Sequence, residues 1–161
     1  MSINQLLKGN PDVIHGNGAL TNEIERAEKR LEILFSKDYK NYLFEFGSVV
    51  INDHELTGIS KTKHRDVVSV TLDKWDFHED FKRRRLYVIE DIGIDDIIIW
   101  QDGKENIYES QGNAIKKIYD TFEDYIKYII NEWGLKIDQK IISMYAKGMS
   151  TTQIYHDRLP E

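Results

Sequence analysis

Residues 24–47 read IERAEKRLEILFSKDYKNYLFEFG, and their apolar spacing decides the architecture. Ile24, Ala27 and Leu31 recur at helical intervals, with Leu34 and Phe35 closing the run. Thr21 stands where an N-cap belongs, and Glu23 puts a negative charge in the first turn. Ser36 then opens a second helix whose apolar stripe is Tyr39, Tyr42, Leu43 and Phe46. Gly47 occupies the place of a positive-φ C-terminal residue. The stretch therefore predicts two short amphipathic helices joined at a Phe-Ser corner and laid over a core.

Working outward, residues 2–8 predict a short helix and residues 9–20, with Pro11, Gly16 and Gly18, a loop. Residues 48–51 are a β-branched run, Asn52-Asp53 a turn, and residues 54–59 a second strand. Residues 65–75 carry strand-like Val67, Val68 and Val70, yet Asp66 caps a helical pattern, so a helix is expected. The basic run 82–85, KRRR, reads as a solvated loop. Residues 86–109 form the clearest β region. Ile97, Ile98, Ile99 and Trp100 suit a strand covered on both faces, and Asp102-Gly103 suits a two-residue hairpin turn. Residues 104–110 return as its partner, and residues 114–119 supply a last strand. Asp120 and Glu123 resemble a capping box for a helix with Phe122, Tyr125, Ile126, Ile129, Ile130 and Trp133 on one face, stopped at Gly134. The fold class is α+β, a mainly antiparallel sheet packed against helices, with a C-terminal helical hairpin.

The order of residues resembles the signature of the SUKH superfamily. Ile24, Ala27-Glu28 and Leu31 match its I-x-x-A/E-E-x-x-L, and Asp38-Tyr39-Lys40, Leu43 and Gly47 match the helix and turn that follow. Phe35-Ser36 replaces the usual Leu-Pro, and Tyr42 a frequent Phe; both swaps keep the physical character of the position. Glu55-Leu56-Thr57-Gly58 is similar to the E-L-x-G element of that family. It includes a fungal cell-wall assembly regulator and many bacterial immunity proteins against secreted toxins. The resemblance covers residues 1–134, so a SUKH-like domain is expected there and an added helical tail over residues 135–161.

The tail predicts a helix at 138–147, a turn at Gly148 and a helix at 150–159. Its KIISMYAKGMSTTQI resembles the helix-turn-helix segment of mutator-type transposases, although Thr152 stands where that family has a basic residue. A docked or dimerising hairpin, with Ile141, Met144 and Tyr145 as apolar contacts, is expected instead of a DNA reader.

The chain has 161 residues, net charge −6 and no cysteine, which excludes disulfides and thiol catalysis and suits a cytoplasmic protein. No apolar run approaches the roughly 20 residues of a membrane span, and the N-terminus lacks the pattern of a secretory signal. Residues 86–134 hold eleven acidic and four basic residues, while the remainder is nearly balanced. Such a distribution disfavours nucleic acid and favours a basic partner. No catalytic constellation stands out: the histidines at 15, 54, 64, 78 and 156 show no metal-ligand spacing, and no phosphate loop is present.

The expected function is therefore a binding module with no enzymatic activity, cofactor or metal. The resemblance implies an immunity protein that blocks a cognate toxin domain, many such toxins being nucleases with basic grooves. The main alternative is a regulatory scaffold of the cell-wall type. The candidate partner-binding residues are Glu90, Asp91, Asp95, Asp96 and Asp102, with Trp100 as a candidate anchor, although a tryptophan following an Ile97–Ile99 run is more often core.

Overall fold

A computed structural model describes residues 2–146. Among these residues six α-helices, α1 (Ile3–Leu7), α2 (Thr21–Leu31), α3 (Lys37–Phe46), α4 (Val67–Trp75), α5 (Glu79–Arg83) and α6 (Phe122–Ala146), surround two antiparallel sheets. The smaller sheet is β1 (Val13–His15), β2 (Val49–Ile51) and β3 (His54–Glu55). The larger is a meander of β4 (Tyr87–Asp91), β5 (Ile97–Gln101), β6 (Ile107–Gln111) and β7 (Ala114–Tyr119). The class is the α+β arrangement expected from the sequence.

The α2–α3 pair forms as its spacing predicts, with Ile24, Ala27 and Leu31 buried on one helix and Tyr39, Tyr42, Leu43 and Phe46 on the other. Ser36 caps α3 by accepting from Tyr39 N–H, as anticipated. Thr21 does not cap α2. The Glu23 carboxylate instead reaches back to the N–H of Leu20, at 2.9 Å, satisfying a donor that the helix leaves open. Leu34 is exposed and only Phe35 turns inward. Gly47 has φ 73°, and a Cβ there would lie 2.3 Å from the Asn17 carbonyl oxygen. Gly58 is equally constrained, because a Cβ would meet the Gly47 carbonyl oxygen at 1.9 Å. The two glycines thus let the α3 end and the β3 exit lie backbone to backbone.

Several expectations yield to tertiary pairing. The loop of residues 9–20 contains β1, which exists because Val13, Ile14 and His15 pair with Ile51, Val50 and Val49. The basic run is partly helical, in α5, rather than all loop. Asp102-Gly103 is not a two-residue turn: Gln101 pairs with Ile107, and the bend spans residues 102–106. The Asp102 carboxylate shapes it by accepting from the N–H groups of Lys104 and Asn106, at 2.9 and 3.0 Å. Thr121, not Asp120, caps α6 through the N–H of Asp124, while Asp120 pairs with Lys117 at the surface. The helix also runs on through Gly134 to Ala146. The Trp133 side chain and the turn and second helix expected at Gly148 and 150–159 lie outside the described residues.

Two faces of the larger sheet are covered differently. Val88, Trp100 and Tyr108 are in register and face α4 and α5, where Phe81 meets the Trp100 ring edge-on at 5.3 Å. Tyr87, Gln101 and Ile107 share the opposite face, toward α3 and α6. Phe122, Tyr125, Ile126 and Ile129 of α6 are buried there, each contributing roughly 1.5–3 kcal/mol before entropy is counted.

Thr57 joins the two sheets. Its N–H donates to Ile89 O at 2.8 Å and its Oγ1 donates to Val88 O at 2.7 Å. With that proton committed, the Tyr39 hydroxyl must donate to Oγ1, 2.9 Å away. Tyr42 donates to the Thr57 carbonyl at 2.7 Å. Burial pushes both phenols far above their ordinary pKa, so each stays a neutral donor. Thr57→Val keeps the volume but strands the Tyr39 hydroxyl and Val88 O. It is expected to cost about 1–3 kcal/mol in urea unfolding. Adding Tyr39→Phe to that variant should cost clearly less than Tyr39→Phe alone, since the stranded donor is then gone. Additive losses would show that the two groups are not coupled.

Candidate protein-binding surface

The acidic side chains of the meander fall at its two ends and in its interior. At one end, three connections lie side by side: residues 92–96 between β4 and β5, the β6–β7 turn at Gly112-Asn113, and the α4–α5 corner at Asp76, Phe77 and His78. Gln111 Nε2 donates to Asp95 O at 3.3 Å, tying the first connection to the second. Gly93, Asp95 and Asp96 all have positive φ, at 77°, 55° and 57°. Two consecutive non-glycine residues in that region are uncommon, and such strain is retained where surrounding structure or function requires it. The Asp95 and Asp96 carboxylates are exposed and engage no partner among the described residues. Ile94 and Phe77 project from the same end, 64% and 76% exposed.

The six residues singled out from sequence do not form one surface. Glu90 is buried at 3% exposure, so it is an interior group rather than a contact. Trp100 is wholly buried, and its Nε1–H donates to Ser110 Oγ at 2.8 Å; it is core, not an anchor. Asp91 is exposed but committed, to Lys74 Nζ at 3.1 Å and to the N–H of Gly93. Asp102 lies beyond the far end of β5 from Asp96. Five strand residues at about 3.3 Å each separate them, and the Asp102 carboxylate is spent on its own turn and on Tyr108. Asp95 and Asp96 alone are placed together, exposed and uncommitted.

Glu90 belongs to a cluster that sequence reasoning missed. A β-bulge between Val88 and Glu90 pairs Val88 with Trp100 but Glu90 with Ile99. The extra residue turns Glu90 to the face opposite Val88, toward α6. There Tyr125 O–H donates to Glu90 Oε1 at 2.5 Å, and His54 Nδ1 lies 2.9 Å from Oε2. Asp53 and Glu132 stand 3.8 and 3.6 Å from His54 Nε2. Glu55 pairs instead with His64, so residues 53–55 do not all converge. The cluster clasps β3, β4 and α6 together, with three carboxylates set around one imidazole. Among the described residues no three His, Asp or Glu side chains are grouped so as to hold a metal ion, and no helix is long and apolar enough to cross a membrane.

The SUKH_5 family model, described as SMI1-KNR4 cell-wall, matches residues 1–131. No curated protein matches the chain.

The clasp makes stability depend on pH. Burial of His54 favours its neutral form, but the hydrogen bond and charge of Glu90, with Asp53 and Glu132, outweigh that and raise its pKa above 6.5. The fold therefore binds the His54 proton more tightly than the unfolded chain does. That contribution is complete below about pH 6.5 and is lost as pH rises through the folded value. Urea unfolding from about pH 5.5 to about pH 9 should show this decline, and His54→Gln should flatten it. An equally steep decline in the variant would remove His54 as its source.

Proposed function

Because the chain belongs to the SUKH family, we propose that it is a non-catalytic binding protein of the immunity type, acting in the cytoplasm on a cognate toxin domain. The observation that supports this most directly is the exposed, unpaired Asp95–Asp96 pair in constrained backbone at one end of the meander. An acidic edge held rigid by its own loop suits a basic groove, such as the substrate cleft of a nuclease. Charges of this kind act chiefly by steering encounter, so they set the association rate more than the lifetime of the complex. The cell-wall description of the family model favours a second reading, a regulatory scaffold that binds endogenous proteins.

Asn is the informative replacement at both positions, since it tolerates positive φ while removing the charge. Asp95→Asn with Asp96→Asn is expected to slow association with a toxin domain encoded by a neighbouring gene by about tenfold at low salt. Dissociation should change far less, and the difference should shrink at high salt. Growth protection on co-expression provides the cellular readout. A folded double variant with unchanged rates and full protection would move the contact elsewhere. Failure to bind any such toxin, with capture of endogenous proteins instead, would favour the scaffold.

Residues 1–134 are proposed as the binding unit and 135–161 as an addition. The family match ending at residue 131 supports this. A chain ended at Gly134 should unfold cooperatively in urea; a molten product would show that the tail completes the core.

A further inference from the structure

The same end of the meander carries an open cleft of about 450 Å³ between the α4–α5 corner and the β6–β7 turn, lined by Lys74, Phe77, His78, Asp96, Gly112 and Asn113. Resting on the reading of this end as the partner-binding face, we infer that the cleft receives an arginine side chain from a basic protein partner.

Three groups define the occupant. Phe77 is 76% exposed, an unusual position for a phenylalanine next to buried Trp75 and His78. Its ring is available to a cation, and guanidinium stacks on such a face more readily than ammonium does. Asp96 contributes a carboxylate with no internal partner, and a carboxylate matches the fork of a guanidinium with two parallel hydrogen bonds. His78 is 8% exposed, and its Nδ1 is buried without a hydrogen-bond partner in the fold. Its ring cannot swing to find one, because it stacks on Phe81 at 5.0 Å and meets Trp100 edge-on at 6.2 Å. Held there, the ring makes a fixed wall of the cleft beside Phe77.

The cations already present do not fill this role. Lys74 is held by Asp91 at 3.1 Å, and Arg83, in the neighbouring cleft, is held by Asp80 at 3.2 Å. With the Lys74 pair closed, Asp96 is the charge of the cleft's own lining left without a partner. A planar cation is therefore favoured over an apolar side chain or an anion.

The test titrates the full chain with N-acetyl-arginine amide at low salt, following the Phe77 and His78 ring signals by NMR. Saturable shifts at both rings are expected, with no comparable response to the citrulline analogue, which keeps the shape and lacks the charge. Phe77→Ala and Asp96→Asn should each weaken binding by about two- to fivefold, and both replace exposed side chains, so the fold is preserved. No shift with arginine, equal shifts with citrulline or leucine amide, or full binding by both variants would overturn the inference. The toxin experiment separates the two failures. A salt-sensitive loss of association in the Asp95 and Asp96 variant with a null arginine titration would leave the acidic edge standing and remove only the cleft.

Discussion

Everything in this fold depends on the buried hydroxyls that close the seam between its two sheets. A three-strand sheet of such short strands cannot be stable by itself. It persists because Thr57, one residue past buried Leu56, bonds to Val88 and Ile89 of the larger sheet and to two tyrosines of α3. Thr71 adds a bond from the other side by accepting the Val88 N–H at 3.0 Å. In a dry interior each of these groups is costly if left open, so the seam tolerates only one arrangement. A second network extends it. Phe35 N–H is satisfied by Glu28, Phe122 N–H by Asp38, and the Tyr87 hydroxyl donates to Gln101. The side chains of the α2–α3 stretch thus anchor both the sheet and the start of α6.

That arrangement explains which parts of the fold were legible. The residues of 24–47 combine helix spacing with polar groups at fixed offsets, and both features survive in the structure. Asp66 likewise decided between strand and helix for 67–75, because its carboxylate accepts from Ser69 N–H. Misreadings cluster where a local rule met a nonlocal partner. β1 is three residues long and exists only through pairing with β2. Asp102-Gly103 resembles a tight turn, but the Asp102 side chain can satisfy a wider bend. Gly134 does not stop α6, since a single glycine costs only about 1 kcal/mol in a helix.

The site was legible as a charge balance and illegible as a geometry. Counting acids in residues 86–134 marked out a region but could not tell an inward carboxylate from an outward one. In a regular strand Val88 and Glu90 would share a face. The bulge between them places them on opposite faces, and no sequence pattern here announces a bulge. Trp100 took the core place that its apolar run favours over the anchor role, and its indole finds a hydrogen-bond partner, Ser110, across the strand pair. Phe77 escaped notice because its helix ends at Trp75, so the apolar periodicity had already stopped before it. Its signal was a second aromatic, two residues past Trp75, within the acidic run DKWDFHED.

Frame and surface are consequently separate in this molecule. The residues that carry the family resemblance, among them Glu28, Asp38, Tyr39, Gly47 and Gly58, satisfy buried polar groups or let backbones meet. None of them lines the acidic end. That end consists of three connections whose exposed side chains bury little and hold few of the bonds that close the seam. Changing Ile94, Asp95 or Phe77 therefore removes little that the fold requires, whereas changing Thr57 removes a great deal. A scaffold built this way can alter what it binds while its core stays constant, because the energetic cost of a new contact falls outside the network that maintains the fold.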